Sequence, residues 1–255
     1  MIGDLQLEVK PEQINLKSFK PKEGLNPKFF PKESKLNPKV RLRLLDIVDD
    51  FIEYLDIPFA KHFDVVLVGS IVGYQWSRYS DIDIHIIYNF NDISDKTKFV
   101  REYFDAKKNL WNQEKNIKIY GFDVEIYVEN LHEPSVSNGR YSIEKNEWLQ
   151  FPSRLPPIQW EKYLIKEKSA KIMDLIEEYE KIFDNHKNDE YQLTNLANKT
   201  KKLWSKIKSI RKDGIEKQGE MSVGNIIYKV CRRSGYLSRL YKLKQELYVY
   251  GKSIR

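Results

Sequence analysis

Apolar and polar positions along the first half of the chain follow helical spacing in one segment and strand spacing in others. Residues 40–55, VRLRLLDIVDDFIEYL, place apolar side chains three and four apart, which predicts an amphipathic helix that Pro58 ends. The apolar run DVVLVG, residues 64–69, predicts a buried strand that enters a tight turn. The strict alternation of DIDIHIIY, residues 81–88, predicts a second strand.

The pattern then continues with one more helix, one more strand and a loop. Residues 95–111 have helical spacing, and KIYGFDVEIYVE, residues 118–129, predicts a third strand. The stretch PSVSNGRYS, residues 134–142, predicts a loop, because small and turn-forming residues dominate it.

Helical spacing covers almost all of the second half of the chain. It predicts helices over residues 160–183, 191–212 and 222–249, the last with Gly235 as a candidate break. Strands early and helices late indicate an α+β fold with a helical part after it.

Composition divides the chain into three predicted parts. Residues 1–40 are rich in proline and lysine, which predicts an extended N-terminal arm that either covers a surface or stays mobile. Residues 41–154 form the predicted α+β catalytic domain, and LPPIQW marks the boundary to a helical domain at residues 155–255.

Acidic residues occupy one face of the second and third predicted strands. Asp81 and Asp83 are two apart, so they point the same way with their Cα atoms roughly 6.5 Å apart, close enough to share metal ions. Aspartate is a poor strand residue, and unpaired carboxylates on a covered strand are costly, which favours a metal site. Glu125 or Asp123 on the third strand is the candidate third ligand and proton acceptor.

The Gly-Ser pair after the first strand fits a phosphate ligand. Gly69 lets the backbone turn and approach a ligand closely, and the N–H and hydroxyl groups of Ser70 can hold phosphate oxygens. His85 shares the acidic face as a hydrogen-bonded neighbour or, alternatively, as a ligand or base. Arg78 and Lys61 are either surface charges or contacts to a triphosphate.

These motifs together resemble the nucleotidyltransferase superfamily of polymerase-beta-like fold. The resemblance covers residues 63–130: a strand, GS, ten residues, DIDI, and an acid-bearing strand about forty residues later. It implies a polymerase-beta-like domain with a short mixed sheet. The order of the proline-rich arm, the VRLRLL helix, SDIDIH and FDVEIYVE is more distantly similar to nucleotidyltransferase-like proteins carried by bacteriophages.

The resemblance also assigns roles to the matching residues. In that family the Gly-Ser pair holds the nucleotide triphosphate, the two strand aspartates bind two magnesium ions, and the third acid completes the metal site. The matching residues are Gly69 and Ser70 for the nucleotide, Asp81 and Asp83 for the metals, Glu125 for the third acid with Asp123 as the runner-up, and Ser80 for the serine that precedes the first aspartate.

One part of the segment departs from the family pattern. Gly73 and Tyr74 stand where many small bacterial members have Arg-Gly, and the aromatic stretch YQWSRY, residues 74–79, follows. The acceptor chemistry of those members is therefore not carried over.

The charge and the composition of the chain give indications of its binding partners and of its cellular compartment. The chain has 44 lysine and arginine residues against 37 aspartate and glutamate residues, a net charge of +7, which suits either solubility alone or a polyanionic partner such as RNA. Cys231 is the single cysteine, which indicates a reducing compartment. With neither a signal pattern nor a membrane-spanning run in the sequence, we expect a cytoplasmic protein, or one in the host cytoplasm or virion if phage-encoded.

A basic segment in the second half leaves two interpretations open. NKTKKLWSKIKSIRK, residues 198–212, contains an apolar stripe, so its lysines form either a solvated face or a contact surface for phosphate or nucleic acid. In CRRSGYLSRLYKLK, residues 231–244, Tyr236 and Tyr241 are either core residues or base-stacking groups.

The sequence therefore predicts an Mg²⁺- or Mn²⁺-dependent enzyme that transfers a nucleoside monophosphate from an NTP to a hydroxyl of a nucleic acid, a protein or a small molecule. Two alternatives come from other classes. One is a structural or interaction protein of a phage particle, with the N-terminal arm binding an assembly partner. The other is a nucleic-acid-binding protein.

Overall fold

The computed structural model describes residues 9–135, 137–154 and 161–253. The chain divides into two compact units. The sheet unit is Ser18–Pro156, and the helical unit combines Met1–Lys17 with Pro157–Arg255. The sheet unit thus includes residues 18–37, which the sequence assigns to the N-terminal arm.

A six-stranded mixed sheet forms the centre of the sheet unit. Its strands are β1 Asp64–Val68, β2 Ile82–Tyr88, β3 Lys118–Ile119, β4 Phe122–Asn130, β5 Arg140–Ser142 and β6 Glu147–Gln150. Their order is β3-β4-β2-β1-β5-β6, in which β2 and β4 are parallel and every other neighbouring pair is antiparallel. The predicted α+β class with a mixed sheet is confirmed.

One face of this sheet shares a hydrophobic core with two helices. Helix α1 is Pro38–Leu55 and helix α2 is Thr97–Glu114. The side chain of Asn37 caps α1 by accepting a hydrogen bond from the N–H of Lys39, and the helix ends at Asp56 in the left-handed region. The isoleucines of β2 that alternate with its polar residues, Ile82, Ile84 and Ile86, are completely buried in this core. The predicted alternation of β2 is therefore confirmed.

The predicted third strand is confirmed over Phe122–Asn130, whereas two details of residues 118–142 differ from the prediction. The predicted third strand is a hairpin of β3 and β4, because Tyr120 and Gly121 both have positive φ values, 53° and 86°, as a two-residue type I′ turn requires. The predicted loop at 134–142 ends in β5, where Tyr141 pairs with Leu67 of β1. Residue 136 of that loop lies outside the described residues. No pattern in the sequence predicted strand β6.

Residues 18–37 contribute large side chains to the same core. Leu25, Phe29, Phe30 and Leu36 are at most 3% exposed. The ring of Phe30 stacks on Trp148 of β6, with the ring centroids 4.8 Å apart. The segment is therefore part of the hydrophobic core of the sheet unit.

The described part of the helical unit contains four α-helices, α3 Lys162–Asn185, α4 Glu190–Gln218, α5 Val223–Arg233 and α6 Tyr236–Lys252, and a short 3-10 helix at Pro11–Gln13. The predicted break at Gly235 is confirmed, since this residue has φ 82° and separates α5 from α6. Helix α4 packs against α5 and α6. Residue 160, the first of the predicted helix 160–183, lies outside the described residues. None of the described helices is long and apolar enough to cross a membrane.

Candidate active site

The turn after β1 brings a glycine backbone against an aspartate. Gly69 has φ 76° and ψ −162°, a region that is essentially restricted to glycine. A β-carbon at this position would lie 2.0 Å from Oδ2 of Asp83. Asp83 is opposite Val68 in the antiparallel pairing of β1 with β2, which explains this close approach. Gly69 of the Gly-Ser pair is therefore in direct contact with Asp83, one of the predicted acids.

Hydrogen bonds to serine hydroxyl groups hold together the loop that connects Gly69 with Asp81 and Asp83. The hydroxyl of Ser70 donates a hydrogen bond to Oγ of Ser80 over 2.7 Å. The backbone N–H of Ser77 donates to the same oxygen atom over 3.0 Å. Ser80 is buried, so its side chain is a fixed point of the loop. The predicted nucleotide-binding residues thus lie in one hydrogen-bonded loop that begins beside the acidic face.

The parallel pairing of β2 with β4 places two predicted acids side by side. Asp83 and Glu125 are Cα partners in this register, and both side chains are on the face of the sheet opposite the shared core. Directly opposed residues on one face of neighbouring strands have their β-carbons about 4.5–5.5 Å apart. Two carboxylates this close repel each other, and a cation between them would reduce the repulsion.

The runner-up Asp123 has different surroundings. It pairs with Lys118 of β3 in the hairpin, with which its carboxylate forms an ion pair. Both side chains are about half exposed. Of the two candidates on β4, Glu125 is therefore the one opposite Asp83.

Tyr127 shares this face with the predicted acids, as the alternation of the third predicted strand indicates, but its contact with Glu125 had no signal in the sequence. Its hydroxyl donates a hydrogen bond to Oε2 of Glu125. Burial raises the pKa of the Tyr127 phenol well above its usual range, and the hydrogen bond to Glu125 raises it further. The charges of Glu125, Asp83 and Asp81 act in the same direction, so all three carboxylates lie within electrostatic range of this phenol.

The polar face continues along the two strands with a second hydrogen-bonded group. His85 Nδ1 lies 2.6 Å from Oε2 of Glu129, and Arg140 of β5 donates to Oε1 of Glu129 over 3.0 Å. Burial raises the pKa of the Glu129 carboxyl, but the hydrogen bonds and charges of His85 and Arg140 outweigh this effect and hold it below its usual range. The His85 ring is 5.2 Å from the Tyr127 ring, so the two groups are adjacent. His85 is thus a hydrogen-bond partner of Glu129.

The basic residues considered for a triphosphate lie at the surface. The guanidinium group of Arg78 stacks on the ring of Tyr79 at 4.7 Å, and Arg78 and Lys61 are both exposed.

The aromatic stretch at residues 74–79 is anchored by the N-terminal segment. Trp76 Nε1 donates to the carbonyl of Gly24 over 2.9 Å. The N–H of Lys22 donates to the carbonyl of Tyr74 over 2.6 Å, and Tyr74 is only 6% exposed. This stretch therefore packs within the sheet unit. The sequence did not indicate it, because the partners are some fifty residues away.

Three carboxylates on one face suit a hard cation such as Mg²⁺ in their chemistry. In the described parts of the chain, however, no three histidine, cysteine, aspartate or glutamate side chains form a group ready to hold a metal ion. Mg²⁺ commonly takes one or two carboxylates and obtains its other ligands from water and substrate phosphates. The acidic residues therefore fit a metal that arrives with a phosphate ligand better than a closed protein site.

The chain has little similarity to known proteins. No protein-family model and no curated protein matches the chain. Among solved structures, it is similar to the STING-associated CdnE c-di-GMP synthase from Capnocytophaga granulosa, at 13% sequence identity over 86% of this chain and 85% of that chain, with a TM-score of 0.23. A likeness with so low a TM-score supports no conclusion about fold or function.

Proposed function

We propose that this chain is a metal-dependent nucleotidyltransferase that transfers a nucleoside monophosphate from an NTP to a hydroxyl group and releases pyrophosphate. The observation that carries the proposal is the contact of Gly69 with Asp83, which itself lies beside Glu125. A phosphate-binding turn next to paired carboxylates suits the transfer of a phosphoryl group with metal assistance.

Asp81, Asp83 and Glu125 would hold Mg²⁺ or Mn²⁺ together with the nucleotide. When bound, such ions lower the pKa of the attacking hydroxyl and neutralise charge on the leaving phosphate. The carboxylates supply two or three oxygen ligands, and the triphosphate of the NTP supplies others. The NTP is thus both the substrate and part of the metal site.

The chain's own groups have separate tasks in this proposal. The turn at Gly69 lets the backbone N–H of Ser70 donate to a phosphate oxygen, and the hydrogen bond from the Ser70 hydroxyl to Ser80 fixes the position of this turn. The acceptor oxygen attacks the α-phosphorus of the NTP, the bond from this phosphorus to the bridging oxygen breaks, and pyrophosphate leaves. Glu125 accepts the proton of the acceptor hydroxyl.

The test is incubation of the full chain with each α-³²P-labelled NTP in the presence of Mg²⁺ or Mn²⁺. We expect a labelled product from at least one NTP, and its loss in the double variant D81N/D83N. Asp123→Asn is the matched control, because this acid lies in the hairpin and forms an ion pair with Lys118. The absence of any product that depends on Asp81 and Asp83 would overturn the proposal.

A further inference from the structure

Aromatic rings and lysines, some exposed and some half-buried, occur together on one face of α4 and α6. We define the basic aromatic surface by Lys201, Trp204 and Lys208 of α4 and Tyr241, Lys244 and Tyr248 of α6. The rings of Trp204 and Tyr241 are 5.6 Å apart between centroids. Tyr241 is 46% exposed and Tyr248 62% exposed. All six residues belong to the helical unit.

Lysine side chains lie against these rings. Nζ of Lys244 is 5.7 Å from the Trp204 centroid and 5.2 Å from the Tyr241 centroid. Nζ of Lys208 is 5.6 Å from the Trp204 centroid. Within the described chain, neither lysine has a carboxylate partner within ion-pair distance, and Lys201 has none either. Their charges are therefore available to an external anion.

The local sequence adds to the positive charge. Residues 197–212 of α4 contain lysines and an arginine but no aspartate or glutamate. On α6 the first acid is Glu246, which pairs with Lys242 over 3.7 Å. A face that served solubility alone would need charges, but it would not need solvent-exposed aromatic rings beneath them.

We infer that the basic aromatic surface binds single-stranded nucleic acid. Unpaired bases stack on exposed aromatic rings, and lysines neutralise the phosphates between the bases. A duplex offers only its phosphates here, because its bases are already stacked on each other. An acidic polypeptide likewise offers charge without flat rings. The proposal goes beyond the transferase activity and stays valid whether or not that activity is found.

The experiment is fluorescence anisotropy with the full chain, in EDTA and without NTP, so that it is independent of the transferase proposal. The probes are a labelled 20-nucleotide RNA without self-complementarity, DNA of the same sequence, each annealed to its complement, and labelled poly-glutamate. We expect both single strands to bind more tightly than the duplexes and poly-glutamate. The RNA and DNA arms show which sugar is preferred.

Two variants separate stacking from charge. Tyr241→Ala should weaken binding of the single strands about 5- to 150-fold, the effect of losing one stacked base. The double variant K208Q/K244Q should reduce the slope of log K against log salt by about 1.4, since each lysine–phosphate contact on a single strand contributes about 0.7. Trp204→Phe keeps most of the buried packing and should weaken binding less than Tyr241→Ala.

Tyr191→Ala is the control for Tyr241→Ala, because Tyr191 is 78% exposed on α4 but lies outside the surface. K171Q/K187Q is the charge control, because both lysines are on or next to α3 and pair with acids. Circular dichroism checks that each variant is folded. Equal affinity for duplex or poly-glutamate, or single-strand binding that Tyr241→Ala and K208Q/K244Q leave unchanged, would overturn the inference. So would the absence of binding at 50 mM salt.

Discussion

The backbone of Gly69 and the carboxylate of Asp83 are so close that no side chain fits between them. A β-carbon on residue 69 would lie 2.0 Å from Oδ2 of Asp83, well inside the contact distance of the two atoms. The glycine therefore has two functions here. It adopts a backbone conformation that other residues avoid, and it leaves room for the carboxylate beside the turn.

Gly69→Ala should abolish most of the transferase activity, because the new methyl group displaces Asp83. Gly219→Ala is a close control, since Gly219 has φ 76° and ψ −169° but open space around it. We expect both variants to lose stability by about 1–3 kcal/mol from backbone strain. The measurements are thermal unfolding and NTP turnover. Equal turnover in the two variants would show that the contact with Asp83 is irrelevant to catalysis.

Glu125→Gln should lower kcat at least about 100-fold, as expected when a general base is lost. Asp123→Asn, two residues earlier on the same face of β4, should leave kcat within about twofold, because the ion pair of Asp123 with Lys118 is exposed and contributes at most about 1 kcal/mol. Steady-state kinetics with saturating metal decide between the two acids. A larger loss with Asp123→Asn would reverse their assignment.

Tyr127→Phe should reduce kcat about tenfold and change the KM for the NTP little. Its hydroxyl holds the Glu125 carboxylate, and a hydrogen bond to a charged group is worth about 1.5–3 kcal/mol. Tyr120→Phe is the control, because Tyr120 is half exposed in the β3–β4 turn. If kcat stays the same in Tyr127→Phe, the hydrogen bond does not position Glu125 for the reaction.

Glu129→Gln should change the pH dependence of stability. Because the folded-state pKa of Glu129 lies below the unfolded value of about 4.3, its charge stabilises the fold above that pH. This contribution is lost as pH falls through the folded-state pKa. Chemical unfolding should therefore show the largest difference between wild type and variant above about pH 5, and a smaller one below pH 4.

The exposed Glu178 on α3 provides the comparison for Glu129. Glu178→Gln should show little difference from wild type at any pH. If Glu129→Gln behaves in the same way, the hydrogen bonds from His85 and Arg140 do not stabilise the fold.

Phe30→Ala should destabilise the sheet unit by about 3–5 kcal/mol, the usual cost of removing a buried phenylalanine side chain. Phe30 is 1% exposed and stacks on Trp148, whereas the control Phe59 is 70% exposed. Phe59→Ala should change the free energy of unfolding by no more than about 0.5 kcal/mol. Urea titration measures both. Equal effects would mean that residues 18–37 are not part of the folded core.

Strict periodicity was the part of the fold that the sequence revealed best. The alternation of isoleucine with polar residues in β2 fixed both its strand character and its buried face, because one face is apolar throughout. Short strands were harder to predict from the sequence. Strand β5 has only three residues and follows turn-forming ones, so its pairing with β1 depends on contacts distant in the chain.

The site was predictable in its residue types but not in its supporting contacts. Spacing predicted that Asp81 and Asp83 point the same way, although Asp81 lies one residue before β2. The resemblance already preferred Glu125 to Asp123, and the register between β2 and β4 adds that Glu125 is the acid opposite Asp83. Tyr127 contacts Glu125 within β4, and Glu129 contacts His85 of β2; side-chain hydrogen bonds of this kind have no signature in a single sequence. The burial of residues 18–37 escaped prediction for a similar reason, since proline and lysine dominate their local pattern.

The parallel pairing of β2 with β4 also determines when the acidic face can form during refolding. The two strands are joined through α2, so their alignment must wait until this long connection has closed, and closure has an entropic cost that grows with the length of the connection. Bringing Glu125 beside Asp83 therefore costs more closure entropy than pairing β1 with β2, whose connection is shorter.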